Sequence, residues 1–277
     1  MPTYFSEARG LRKGYGLPEL RIIVRDLYTD LVANDHLKEW IGYDCVDAGR
    51  VTGTAVDPGR QIVRQVGRRD VWPTDPVAGA WSEDAIFDFL QFIATKVSSP
   101  VDGSGYYHQY AGCGWHDQTF QQEPARTEFI SEVNSILSRY SDGWEMTADL
   151  QIVERAPSGL SDLLAAKVPL TVDASVRSRV DSAISKFRSR SSSRDDRRDA
   201  VRDLGDVFER LRKVAKQHLG ADESDLFNIL NNFDIRHNNL TQKSDYDVVW
   251  LTGLFYYYLT MIHVLARLVG RETKASN

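Results

Sequence analysis

The stretch VVWLTGLFYYYLTMIHVLARLV, Val248 to Val269, decides the fold. It is nearly as long as a membrane-spanning helix needs to be. It carries, however, three tyrosines, two threonines, His263 and Arg267, and no other segment of the chain resembles a span. Polar groups spread along the run suit a helix buried in protein rather than in lipid, so it reads as the core helix of a bundle, with no membrane. Such a helix needs neighbours. Working back from it, apolar residues recur at spacings of three and four, which puts them on one helical face. Val201, Leu204, Phe208, Leu211 and Ala215 mark one helix, and Val176, Val180, Ala183, Ile184 and Phe187 the one before. GLSDLLAAKV and DESDLFNILNNF read as shorter helices, so the chain from Ser158 onward is expected to be wholly helical.

Residues 1–157 read differently, with the division at Pro157. Leu20, Val24, Leu27 and Leu31 predict a helix over Leu17 to Ile41. Residues 42–81 are rich in Gly, Pro, Asp and Val and read as turns with one or two short strands. A helix then starts at WSEDAIFDFLQFIATKV, where Ser82 can cap it and Glu83 and Asp84 suit the positive end of its dipole. GYYHQYAGCGWHDQTF reads as an irregular aromatic loop, and EFISEVNSILSRY as a third helix. GWEMTADLQIVERA reads as a small hairpin turning near Thr147 to Asp149, with Trp144 and Met146 facing Leu150 and Ile152. The expected fold class is therefore mainly α. A mixed α+β N-terminal half (1–157) precedes an all-α bundle (158–277), with no internal repeat.

The formal charge of −5 over 277 residues argues against a general polyanion binder. The N-terminus MPTYFSEARG has no apolar signal core, which predicts a cytoplasmic protein. Cys45 and Cys113 stand far apart and read as buried free thiols. His108, Cys113 and His116, with Cys45 as a fourth, are all soft or borderline metal ligands. Their spacing is that of no common zinc module. The expectation is a packed aromatic loop with satisfied histidines and no metal. Residues Tyr106 to Trp115 also suit the lining of a small-ligand pocket, which would make this half a regulatory domain.

Between Asp173 and Lys216 thirteen Lys or Arg face eight Asp or Glu, and Arg188, Arg190, Arg194, Arg197, Arg198 and Arg202 gather at one helix junction. Such a cluster can hold phosphates. It can equally be a solvated face laced with ordinary ion pairs. A second polar cluster, NNFDIRHNNLTQ, runs from Asn231 to Gln242, just before the apolar helix. Arg236 offers a planar cationic fork for a phosphate or carboxylate, and His237 can exchange a proton near neutral pH. Asn231, Asn232, Asn238 and Asn239 can donate and accept without ionising. The competing reading has the asparagines capping two helices while Arg236 pairs with Asp234 or Asp245.

Three segments carry a family resemblance. YFSEARGLRK (Tyr4 to Lys13) resembles the opening of AbiJ-like abortive-infection proteins of bacteria. EFISEVNSILSRYSDGWEM (Glu128 to Met146) resembles the helix and strand that precede their second half. NNFDIRHNN, with the apolar helix after it, resembles their C-terminal HEPN-like bundle. The resemblance implies an antiphage effector whose helical domain often dimerises and cleaves RNA with no metal and no cofactor. In that chemistry the RNA 2′-hydroxyl attacks the adjacent phosphorus, a histidine manages protons and an arginine stabilises the phosphorane. Carried onto this chain, Arg236 and His237 are the expected catalytic residues. Asn232, Asn238, Asn239, Arg194, Arg197 and Arg198 are the expected contacts to RNA phosphates. The family pattern wants its histidine four to six residues beyond the arginine, where this chain has Leu240, Thr241 and Gln242. His237 is adjacent instead. That departure leaves two outcomes open: a ribonuclease with a degenerate motif, or a non-catalytic sensor or scaffold that binds RNA or a protein of the same defence system. A homodimer would bring two such sites together.

Overall fold

The computed structural model describes residues 14–275 except 72–74, 76, 141–142, 158, 170–171 and 220–247. The chain divides into two compact units, Met1–Val153 and Glu154–Asn277. The division falls slightly before Pro157 because Glu154 is tied to the helical unit. Its carbonyl accepts hydrogen bonds from Arg188 Nε and Nη2 at 3.1 and 2.9 Å, and its carboxylate pairs with Arg197.

The first unit opens with α1 (Leu17–Ala33) and α2 (Lys38–Ile41), where the sequence predicts one continuous helix. The break is local. Asn34 caps α1 and Asp35 takes φ +63°, a left-handed conformation that Asp tolerates better than most residues. A short ribbon of β1 (Tyr43–Cys45) and β2 (Gly49–Val51) follows. Next comes α3 (Pro58–Val66), a helix inside the stretch read as turns and strands. Its signals are visible in DPGRQIVRQVG: the Asp57 carboxylate accepts from the Arg60 amide, Pro58 pre-sets the first turn, and Gly67 ends the helix in the left-handed region. Around α4 (Glu83–Ala94) the unit packs its core. Ser82 caps α4 through the Ala85 amide, and Ile86, Phe87, Phe89, Leu90, Phe92 and Ile93 are all buried, so α4 is enclosed nearly all round rather than along one stripe.

Short strands β3 (Ser99–Pro100), β4 (Tyr106–His108), β5 (Gly114–His116) and β6 (Phe120–Gln121) come next, then α5 (Ala125–Leu137). The pairs β3–β6 and β4–β5 are antiparallel, so the segment read as an irregular loop contains a paired hairpin, β4 with β5. The predicted hairpin is present as β7 (Trp144–Met146) paired with β8 (Ile152–Glu154). Leu150 lies in its turn at φ +60° rather than in a strand. Asn134 on α5 pins this hairpin, donating to the Met146 carbonyl at 3.0 Å and accepting from the Met146 amide at 2.6 Å.

Beyond Glu154, the last residue of β8, the named elements among the second unit's described residues are helices: α6 (Ser161–Ala165), α7 (Ala174–Arg188), α8 (Arg194–Arg210), α9 (Arg212–Leu219) and α10 (Val248–Ala275), joined by short non-helical segments. Val176, Val180, Ala183 and Phe187 of α7 and Val201, Leu204 and Phe208 of α8 bury the predicted faces in one core shared with α10. Leu251, Phe255, Tyr258, Leu259, Ile262, Leu265 and Ala266 supply the α10 side of that core. Phe187 and Phe255 stack with ring centroids 4.0 Å apart. Residues 249–269 are long and apolar enough to cross a membrane by length and composition, yet over half of that stretch is buried within the unit.

A histidine is buried with these residues. His263 is 5% exposed, and its Nε2 has no hydrogen-bond partner among the described residues. Burial, aided by repulsion from Arg267, holds its pKa below the usual histidine value. The unfolded chain takes up this proton near pH ~6.5, whereas the folded protein does so only at lower pH. Stability from the neutral imidazole is therefore complete above that value and is lost as pH falls towards the folded pKa. We expect His263→Leu to gain about 1–2 kcal/mol by removing an unsatisfied buried group, and to gain more at pH 5.5 than at pH 8. Thermal melts at the two pH values check this; equal gains at both would contradict it.

Candidate metal centre

In an antiparallel pair, alternate residues share a face. Tyr106 stands opposite His116, Tyr107 opposite Trp115 and His108 opposite Gly114. His108 and His116 therefore lie on one face of the β4–β5 hairpin, with Tyr107 and Trp115 on the other. Those two rings meet edge to face at 5.6 Å, and both are about half exposed. Between the strands, Ala111 and Gly112 both take positive φ in a short 3-10 turn, which swings Cys113 back beside His116. Gly105 lets the strands close: a Cβ there would lie 2.2 Å from the His116 carbonyl oxygen.

The β1–β2 ribbon delivers Cys45 to the same place. The result is a cluster in which one ligand atom each from Cys45, His108, Cys113 and His116 lies within 4.8 Å of every other. Cys45 Sγ is 3.8 Å from His108 Nδ1, and Cys113 Sγ is 3.1 Å from His116 Nε2. The sequence reading set this arrangement aside in favour of separate thiols and satisfied histidines with no metal. The fold brings all four groups together instead.

The outward nitrogens are also held. His108 Nε2 lies 3.1 Å from Asp47 Oδ2, and His116 Nδ1 lies 2.8 Å from the Tyr106 hydroxyl. The Ala48 amide donates to Cys45 Sγ at 3.4 Å. Hydrogen bonds from the Ala48 and Asp47 amides hold the Cys45 thiol below its ordinary pKa. Cys113 Sγ also approaches the Asp44 carbonyl at 3.8 Å. Beneath the hairpin, the buried Lys38 ammonium donates to Asp117 at 2.8 Å, to the Trp115 carbonyl at 2.7 Å and to Asp35 at 3.1 Å. Burial works to lower its pKa, but the hydrogen bonds to Asp117 and Asp35 outweigh that and raise it, so it stays charged.

The residues expected to meet RNA fall elsewhere. Asn231, Asn232, Arg236, His237, Asn238 and Asn239 lie outside the described residues. Arg194 opens α8, following the Ser193 cap. Arg197, on the next turn, lies over the Phe187 ring at 5.4 Å as well as pairing with Glu154. Arg198 pairs with Asp195 at 3.3 Å, and Arg202 with Asp199 at 2.9 Å. Arg197 and Arg198 are thus already matched with carboxylates, so phosphate would compete with those pairs. Of Tyr106 to Trp115, suggested as the lining of a small-ligand pocket, His108 and Cys113 belong to the four-residue cluster. A hollow of about 480 Å³ opens beside Lys38, Tyr43, Gly53, Asp117 and Phe120.

The chain matches no family model, no curated protein and no solved structure.

Proposed function

We propose that this chain is an antiphage effector of the abortive-infection kind, whose HEPN-like helical unit acts on RNA through Arg236 and His237. The observation that carries the reading is the sequence NNFDIRHNN set directly ahead of α10, the buried helix of an all-helical core. A rigid floor of that kind is what a small catalytic or binding mouth requires. Charge distribution supports it. Residues 1–153 carry 14 Lys or Arg against 22 Asp or Glu, whereas residues 154–277 carry 20 against 17, so the positive potential belongs to the helical unit.

In the cleaving form of the proposal, Arg236 stabilises the charged phosphorane and His237 serves as acid or base, with Asn232, Asn238 and Asn239 positioning the phosphate. Expression of the wild type in bacteria is then expected to slow growth and fragment RNA. Arg236→Ala should reduce cleavage about 10²–10³-fold, the usual scale for removing one electrostatic stabiliser. Equal and harmless behaviour of the wild type and an Arg236→Ala/His237→Ala variant would remove the catalytic claim.

A second reading is favoured by Leu240, Thr241 and Gln242, which stand where the family pattern has a histidine. Here the protein is a sensor or scaffold that binds RNA, or a protein of its defence system, without cleavage. RNA retention that weakens with salt while the RNA stays intact would identify this form. Both forms have two copies pairing through their helical units. Light scattering showing a monomer at micromolar concentration would count against that pairing.

A further inference from the structure

We infer that Cys45, His108, Cys113 and His116 form a closed, structural zinc site that orders the two ribbons of the N-terminal unit. This assignment is independent of the RNA reading, since it concerns other residues in the other unit.

Geometry is the first argument. Zinc takes sulfur at about 2.3 Å and imidazole nitrogen at about 2.0–2.1 Å in a tetrahedron, which sets ligand-to-ligand edges of roughly 3.3–3.8 Å. The measured Cys45–His108 and Cys113–His116 separations of 3.8 and 3.1 Å bracket that range, and the whole set fits within 4.8 Å. No ligand-to-ligand separation exceeds 4.8 Å, about an ångström beyond the longest edge of such a tetrahedron.

The second argument lies in the outer contacts. A ligating histidine commonly gives its other nitrogen to a carboxylate or another acceptor, which fixes the tautomer and the ring. Asp47 does this for His108, leaving Nδ1 towards the sulfurs, and the Tyr106 hydroxyl does it for His116, leaving Nε2 inward. Both inward nitrogens are the ones that approach cysteine sulfur. The Ala48 amide pointing at Cys45 Sγ suits a thiolate ligand in the same way.

The third argument is what the ribbons lack. Strands of three residues with Tyr107 and Trp115 facing outward bury little, and isolated two-stranded hairpins are marginal in water. A cross-link between the end of β1 and the β4–β5 hairpin supplies the missing constraint. Two thiolates and two imidazoles select zinc over magnesium or calcium. With four protein ligands the site keeps no open position, so its role is structural rather than catalytic.

The test uses the full chain. Metal analysis of protein purified without chelator is expected to give one zinc per chain, and cobalt added to the chelated protein should give the strong visible bands of tetrahedral thiolate coordination. Cys45→Ser/Cys113→Ser should hold no zinc. If that variant fails to fold, Asp47→Ala keeps all four ligands and should bind zinc about 10–100-fold more weakly. A wild-type chain that neither carries zinc nor takes up zinc or cobalt would overturn the assignment. So would iron or copper in stoichiometric amount, or an unchanged affinity in Asp47→Ala.

Discussion

Chelation is expected to melt the ribbons around the metal centre while leaving both hydrophobic cores standing. In hydrogen exchange followed by mass spectrometry, amides of residues 43–51 and 105–117 should lose protection by a hundredfold or more, roughly 3 kcal/mol of local stability. Amides of α4, α8 and α10 should change little. The size follows from the ion: apparent zinc-binding free energies of about 10–16 kcal/mol in small zinc modules are largely folding free energy. Here the effect stays local because the core around α4 is built by Leu20, Val24, Trp40, Ile86, Phe89, Leu90 and Ile93, all fully buried and none of them a ligand. Re-addition of zinc should restore the slow exchange. Unchanged protection after complete metal removal would show that the ribbons stand by themselves.

Lys38→Met is expected to cost about 3–5 kcal/mol, the scale for breaking a buried ion pair from one side. The lysine side chain is 6% exposed and that of Asp117 10%, so removing the ammonium strands a carboxylate with little access to water. It also leaves the Trp115 carbonyl without this donor, one residue from His116. Denaturant unfolding measures the loss. Lys38→Met combined with Asp117→Asn should recover a large part of it, because the second change removes the stranded charge. If the double variant is as unstable as the single one, the cost comes from lost packing against Tyr43, whose ring lies 5.2 Å from the ammonium, and not from the charge. Because the Lys38 bonds frame the strand that carries His116, the single variant should also bind zinc more weakly.

The helical half was largely legible from periodicity. Val176, Val180, Ala183 and Phe187, then Val201, Leu204 and Phe208, bury the faces their spacing predicts, since a helix facing a core must repeat its apolar residues every three to four positions. Where the reading failed, a local signal was present but outweighed. Asp57, Pro58 and Gly67 mark both ends of α3, yet the surrounding glycines, prolines and valines suggested turns and strands. The break after Ala33 depended on one aspartate adopting φ +63°, which the unbroken apolar register of α1 conceals.

By itself the sequence determined that the chain is mainly helical and that Val248–Val269 is the long apolar helix of the second unit. These are local properties, fixed by spacing of three to four residues and by side-chain chemistry. Only the tertiary structure decided that Cys45 meets Cys113, because 68 positions separate them and the encounter depends on where two short ribbons land. Ligand spacing in the sequence reveals a metal site when one loop supplies the ligands. When two supersecondary elements share them, the distance between elements is the determining quantity, and no pattern along the chain encodes it.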